Sequence, residues 1–378
     1  MKEPGAPCPF LYGAKGGELH GWLEITGKCN LECTYCYTDS KLEVEEELST
    51  EEVKTIIDAL KELKALTLTF SGGEPCLKQD LPELIEYASQ HIETKLVTNG
   101  TVLTNQIIDA LTASKTQVQL SIDSVNPRSY EKSRGRPFLS RVLKTIDNLL
   151  ENDIELVLAV TLTEHTMDSV FDVLHFAIEK GIANVHMGSL IPEGRGKADR
   201  LLSGCFLKKL YEFQKENFEV ISIDIIEDLL FPIILEEKKD VYCNAMMGKT
   251  LEIGFDGTVY ICGGMRELKS MNLGNIRKDP LESIYERAIR ENKMVYLPVD
   301  KLETCKECQY KYICAGGCRA RAYHYSKGNL LAEEPNCKFL KNIIRVMLED
   351  YKKGELDAYA TLLRFFLEET GIRRKKIF

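Results

Sequence analysis

The sequence predicts an α/β chain: about six strand–helix units built on a parallel sheet, then a small cysteine-rich α+β region, then C-terminal helices. Three observations carry this. Apolar, β-branched runs recur through the first 225 residues with helical patterns between them. Seven of the thirteen cysteines fall between 243 and 337. The stretch 337–369, CKFLKNIIRVMLEDYKKGELDAYATLLRFFLEE, reads as one or two helices.

Strands are expected at 20–26 (HGWLEIT), 66–72 (LTLTFSG), 94–100 (TKLVTNG), 117–123 (QVQLSID), 155–161 (ELVLAVT) and 184–190 (NVHMGSL). The helices between them have readable starts. STEEVKTIIDALKEL sets Ser49 three residues before Glu52, a spacing at which each side chain satisfies a free backbone amide at the other. DLPELIEYASQ begins at Asp80, whose carboxylate suits an N-cap. Alternation at this spacing argues for parallel βαβ units arranged as an open sheet or as a barrel, complete or partial. Chemistry then gathers at the carboxyl ends of the strands. Beyond residue 240, LEIGFDGTVYIC carries Asp256-Gly257 between alternating runs, a hairpin signal. The expected divisions are 1–19 (N-terminal segment), 20–225 (sheet or barrel), 226–242 (bridging segment), 243–345 (cysteine-rich domain) and 346–378 (helical tail).

A chain of 378 residues exceeds what one core usually supports, so two domains are expected. The 44% apolar and 28% charged residues are an ordinary globular mix. A net charge of −9 gives no electrostatic pull toward nucleic acid or an anionic membrane, and RRKK at 373–376 reads as a solvated tail. The start has no apolar signal core and no run is long enough to span a bilayer, so a cytoplasmic location is expected. Thiols there stay reduced. Thirteen is also odd, which excludes complete disulfide pairing and favours metal binding.

Cys29, Cys33 and Cys36 sit on one short loop after the first strand, in GKCNLECTYCYTDS. Three thiolates so placed can hold three corners of a [4Fe-4S] cube and leave the fourth iron to a small chelating ligand. A zinc site completed from elsewhere, or buried thiols, also fit the spacing. The pattern C-x3-C-x-aromatic-C, with Tyr35 as the aromatic, followed by SGGEP at the end of the second strand, resembles the radical SAM enzymes. The resemblance implies a partial (β/α)6 TIM-like barrel. It implies that Gly72, Gly73 and Glu74 bind the amino group of S-adenosylmethionine (SAM), the glycines by close backbone approach and the carboxylate by its charge. It also puts Thr98, Asn99, Ser121 and Asp123, at the ends of the third and fourth strands, against the ribose and methionine carboxylate, with Arg134 a partner for that carboxylate and Tyr35 among the cofactor-binding residues. An N-cap or turn role for Ser121 and Asp123, and a solvated Arg134, compete with this.

The later cysteines read Cys243, thirteen residues, Gly257-x4-Cys262, then Cys305, Cys308, Cys314 and Cys318 as C-x2-C-x5-C-x3-C, then Cys337. Taken alone, the central motif suggests a zinc ribbon. The whole resembles the seven-cysteine SPASM extension of radical SAM proteins. That resemblance implies one auxiliary [4Fe-4S] cluster on Cys305, Cys308, Cys314 and Cys337. A second would sit on Cys243, Cys262 and Cys318, its last iron open or bound by another group, for three clusters in all. Cys8, Cys76 and Cys205 lie outside both motifs, and Cys76 reads as a small buried residue despite following GGEP. His91, His165 and His175 make no motif; His186 falls on the sixth strand, where side chains can reach a site.

The activity implied is reductive cleavage of SAM to methionine and a 5′-deoxyadenosyl radical, which takes a hydrogen atom from an unreactive C–H bond. The auxiliary clusters would accept the electron left on the product or hold a substrate thiolate. A low-potential donor such as flavodoxin or ferredoxin is the implied partner. SPASM proteins resemble one another in acting mostly on peptides or proteins, so oxidation or crosslinking of a peptide is expected, with tetrapyrrole side-chain chemistry as the alternative. Sulfatase maturation is disfavoured: those relatives place an Asp directly after the second auxiliary cysteine, where this chain has Gly263, and carry an eighth cysteine soon after the first. A non-catalytic iron–sulfur carrier or a zinc-stabilised binding module would gain nothing from an intact GGE segment.

Overall fold

The computed structural model describes residues 19–44, 46–197, 202–291 and 296–369. Cys8, the expected N-terminal segment up to residue 18 and the RRKK tail lie outside these. The six expected strands are present as β1 (Leu19–Thr26), β2 (Ala65–Gly72), β3 (Glu93–Thr98), β4 (Gln117–Ser121), β5 (Leu156–Leu162) and β6 (Asn184–Ser189). They pair in that order, all parallel. A two-residue β7 (Ser222–Ile223) adds to β6. It is too short to leave a pattern in the sequence.

Six helices fill the crossovers: α1 (Thr50–Glu62), α2 (Leu81–Ser89), α3 (Asn105–Ser114), α4 (Pro127–Arg134), α5 (Leu139–Glu151) and α6 (Val170–Lys180). Ser49 and Glu52 form the expected reciprocal box at the start of α1. Asp80 takes the N-cap position of α2 but makes no cap bond. Its carboxylate instead accepts from the Thr50 hydroxyl and pairs with Lys78 at 3.8 Å, and Pro82 removes one amide that a cap would serve. Helices α7 (Gly204–Asn217) and α8 (Asp224–Ile234) follow, so much of the expected bridging segment is helical.

The Asp256-Gly257 hairpin joins β8 (Thr250–Ile253) to β9 (Thr258–Tyr260), with Gly257 at φ +82°. It does not stand apart from the first sheet. β8 pairs parallel to β1, β9 runs antiparallel to β8, and β10 (Asn272–Asn275) closes the row. One ten-stranded open sheet results, ending in β10 on one side and β7 on the other. Its first six strands and their helices make the partial barrel. The cysteine-rich segment adds α9 (Leu281–Arg290), α10 (Lys311–Cys314) and α11 (Arg319–Tyr325). The C-terminal stretch is two helices, α12 (Cys337–Lys352) and α13 (Asp357–Glu369), parted at Gly354. α12 passes unbroken through residues 345–346.

The faces of β1 are distinct. Leu23 and Ile25 are fully buried, and a Cβ on Gly21 would press on Leu60 of α1, so the odd positions face the helices. Trp22 and Glu24 therefore face inward. Register carries that inner face across the sheet, through Trp22, Thr69, Lys95 and Gln117 in one row and Ser121, Ala159 and His186 in another.

Candidate active site

β1 hands the chain to a loop carrying Cys29, Cys33 and Cys36, and neighbouring elements fix that loop by its backbone. Cys29 N donates to Lys41 O at 2.8 Å. Glu32 N and Thr34 N donate to the carbonyls of Arg134 and Ser133 at 3.2 and 3.0 Å, which ties the loop to the end of α4. From the far side, Arg195 N donates to Cys36 O at 2.8 Å, and its guanidinium reaches Cys33 O, Ser40 O and the Asp39 carboxylate, each at 3.0 Å.

The GGE segment passes behind this loop. Gly73 N donates to Thr26 O at 2.8 Å and Glu74 N to Lys28 O at 2.7 Å. A Cβ on Gly72, at φ +139°, would collide with Thr26 O, and one on Gly73 with Lys28 O. Glu74 is fully buried. Its carboxylate accepts from Cys76 N (3.0 Å), Thr98 Oγ1 (2.6 Å) and Asn99 N (2.7 Å), so it joins the ends of β2 and β3. Burial raises its pKa against those bonds. Asn99 continues the chain of contacts, donating to Asn30 Oδ1 at 3.0 Å and accepting from Thr101. Cys76 is buried beside Thr98, and Cys205 is exposed at the start of α7.

Ser121 ends β4, and Asp123 lies two residues on, fully buried. Arg134 is buried too, and grips Asp123 with two nitrogens at 2.8 and 2.9 Å. Tyr35 donates its hydroxyl to the same carboxylate, Thr161 N donates to it at 3.0 Å, and Arg134 lies over the Tyr35 ring at 5.5 Å. Arg134 is thus no solvated arginine. The carboxylate its guanidinium binds in this structure is that of Asp123.

All twelve described cysteines are free thiols. Burial pushes Cys29 up to about 12, with Glu74 and the two neighbouring thiols adding to it, and burial likewise raises Cys33. Three crowded thiols, of which Cys29 and Cys33 resist ionising alone, are a donor set that an iron cluster would complete.

The family model of the radical SAM superfamily matches residues 23–177, and that of an iron–sulfur cluster-binding domain, SPASM, matches 243–309. An AdoMet-dependent heme synthase of Methanosarcina barkeri is 30% identical over 341 residues, 84% of this chain and 95% of that protein. The chain belongs to the radical SAM superfamily. A PqqA peptide cyclase of Rhizobium meliloti is 27% identical over 83% of this chain and 85% of its own. Among solved structures, anSMEcpe with bound AdoMet superposes with a TM-score of 0.74 at 23% identity, covering 93% of this chain and 98% of that one, a likeness of fold.

As a radical SAM protein with a SPASM domain, the chain binds SAM and iron–sulfur clusters. Its later cysteines fall into two groups by the charges they feel. Cys262 is raised first by burial, then by Glu252, Cys243 and Cys318; burial and then Cys318 push Cys243 up to about 11. Cys314 is raised by burial and by Cys305 and Cys308; burial, with Glu333 and Cys314 adding to it, pushes Cys337 up to about 12. Buried Arg319 supports this region by donating to the carbonyls of Gly316, Gly317, Leu330 and Ala332.

Sequence reasoning singled out His186 on the inner face but missed the acids and the arginine that stand there. Glu24 on β1 and Glu252 on β8 are both buried and share Arg266, which lies 2.5 Å from Glu24 and 3.1 Å from Glu252. Burial, with Glu24 adding to it, raises Glu252 to about 7. Gly263 N donates to Glu252 at 2.5 Å, and a Cβ at Gly263 would overlap that carboxylate. His186 pairs through Nδ1 with Asp224, whose other oxygen accepts Met187 N at 2.8 Å. Each is a lone polar residue in an apolar strand or at a helix start. That pattern signals an inward-facing group without saying which residues it meets.

Proposed function

We propose that this radical SAM enzyme abstracts hydrogen from a peptide or protein substrate to oxidise or crosslink it. The cofactors, once bound, supply a 5′-deoxyadenosyl radical from SAM and a reduced iron–sulfur cluster. The protein's part is to position and enclose. Backbone at Thr26–Lys28 and Gly72–Glu74 offers SAM a close, rigid approach. Thr98, Asn99 and Ser121 border the same rim. The Asp123–Arg134–Tyr35 cluster and Arg195 hold the cysteine loop from two sides. Cys29, Cys33 and Cys36 would hold the cluster at the SAM site, which would take its electron from an external low-potential donor, a flavodoxin or ferredoxin, and the remaining cysteine sets would hold two auxiliary clusters.

The observation that carries the substrate reading is the charge of the inner face. Glu24 and Glu252 share a guanidinium, and Asp224 stands opposite His186. Glu24 and Glu252 outnumber the one guanidinium between them, so a tetrapyrrole bearing several carboxylates would find an excess of acid over cation in that group, which neutral or basic peptide side chains tolerate better. Tetrapyrrole chemistry is the second reading, favoured by the 30% identity to a heme synthase. The test mixes reconstituted protein, SAM and reductant with iron-coproporphyrin III. The peptide reading expects no shift of the Soret band and no decarboxylated product by mass spectrometry. Turnover of the porphyrin would replace it with the second reading.

A further inference from the structure

The loop after β1 and the loop after β9 leave opposite ends of the sheet, because β9 runs antiparallel to β8, which is parallel to β1. The first carries Cys36 and then Tyr37; the second follows Tyr260, the last residue of β9, and carries Cys262. Arg266 stands between the two tyrosines. Its guanidinium carbon is 5.5 Å from the Tyr37 ring centroid and 5.4 Å from that of Tyr260. The guanidinium is fixed in place. Glu24 takes two of its nitrogens, Glu252 takes one, and its Nε donates to Gly263 O at 3.3 Å. Tyr260 is set by the ladder directly opposite Glu252. Cys36 is bonded through the chain to Tyr37, Arg266 meets both rings, and Tyr260 lies two residues of chain from Cys262, so bonds and ring–guanidinium contacts together lead from Cys36 to Cys262.

We propose that Tyr37, Arg266 and Tyr260 are an electron bridge between the SAM-site cluster and the auxiliary cluster on Cys243, Cys262 and Cys318. Electron tunnelling falls off steeply across gaps and more gently through packed atoms. A rigid ring–guanidinium–ring stack gives the packed route. The step is a one-electron exchange: a reduced auxiliary cluster loses one electron and the SAM-site cluster gains it, with no atom or proton moved. The salt bridges of Glu24 and Glu252 keep the stack closed. The inference rests on the reading of Cys243, Cys262 and Cys318 as cluster ligands, so iron per chain is measured on every preparation.

The test needs SAM alone as the probe. Fully reconstituted protein is reduced, the reductant is removed by anaerobic desalting, SAM is added and released methionine is counted against time. Each methionine reports one electron delivered to SAM. Wild type is expected to release more than one methionine per chain, the first from the SAM-site cluster and the rest fed by the auxiliary clusters. Tyr260→Leu and Arg266→Lys should keep the first release and slow the later ones at least tenfold, and Tyr260→Phe, which keeps the ring, should restore them. A wild type that stops at one methionine with full iron overturns the bridge. So does Tyr260→Leu matching wild type, or Tyr260→Phe as slow as Tyr260→Leu. If Tyr260→Leu fails to assemble its iron, Arg266→Lys against wild type decides. Wild-type iron that matches one cluster instead refutes the ligand reading beneath it.

Discussion

Asp123→Asn is the substitution whose consequences the structure states most fully. The native carboxylate is fully buried and accepts from two nitrogens of Arg134, from the Tyr35 hydroxyl and from Thr161 N. Asparagine keeps the shape and one acceptor but leaves the guanidinium as a buried charge without its counter-ion. Removing one partner of such a pair costs about 3–5 kcal/mol, and the isosteric change belongs at the low end, about 3 kcal/mol. For a chain of this size, at about 1–2 °C per kcal/mol, the apparent melting temperature should fall by roughly 3–6 °C. The damage should also be local. Arg134 and Ser133 carry the carbonyls that hold Glu32 and Thr34, so the loop around Cys33 is the part released. Iron per reconstituted chain should drop by about four atoms, the content of one cube, while the auxiliary clusters keep their electron paramagnetic resonance signals. Pairing Asp123→Leu with Arg134→Met, which removes both charges, should recover at least half of the lost stability. A fall below about 2 °C with full iron, or iron lost equally from all clusters, would refute the argument that this ion pair supports the first cluster loop.

Three further outcomes follow from the same geometry. Gly73→Ala, whose Cβ would run into Lys28 O, should abolish SAM cleavage while leaving the auxiliary-cluster spectra intact; methionine release and spectroscopy on one sample check this. Replacing Cys29, Cys33 and Cys36 together by alanine should lower iron from about 12 to about 8 per chain, and no loss of iron would end the reading of that loop as a cluster site. Glu227 is raised from 4.5 to about 7 by burial, with Asp224 adding to it, so the folded chain still holds a proton that the unfolded chain has lost. Its contribution to stability therefore falls as pH rises through that window. Glu227→Gln should gain little near pH 5 and up to about 3 kcal/mol near pH 8, and an equal gain at both would refute the titration.

The inner barrel was legible because each strand states its own period. The runs at 66–72 and 184–190 match β2 and β6 to within a residue. The ladder pairing Ala159 with His186 is local consequence rather than new information. The three-cysteine loop and the GGE segment were equally legible, since spacing and glycine are local signals. Arg195 was not. It reaches Cys33 across 162 positions of chain, and nothing about one arginine after a strand announces which carbonyls it will hold. The same holds for Glu24 and Glu252. An acid in an apolar strand marks an inward group, but the guanidinium that neutralises it comes from Arg266, 242 residues from Glu24. Asp80 shows the converse: its cap position was readable, while the hydroxyl that claimed its carboxylate came from another helix.

The placement of the β8–β9 hairpin explains why this charge cluster exists. Had the cysteine-rich segment folded as a separate body, Cys262 would sit behind a domain boundary with water or a polar interface between it and the first cluster loop. Instead β8 extends the barrel sheet beside β1, and Glu252 pairs in register with Trp22 on the inner face. Two carboxylates then share one enclosed space, which is unfavourable unless a cation joins them. Arg266, on the turn just past Cys262, is that cation. Because it must reach both strands, it also lies between the rings of Tyr37 and Tyr260. The requirement to neutralise Glu24 and Glu252 and the contact of Arg266 with both Tyr37 and Tyr260 are therefore one structural fact. A substitution that relieves the first, such as Glu24→Gln with Glu252→Gln, should free Arg266 and loosen the second. Slower methionine release after the first turnover, with unchanged iron, is the signature that would bind the electrostatic and electronic roles together.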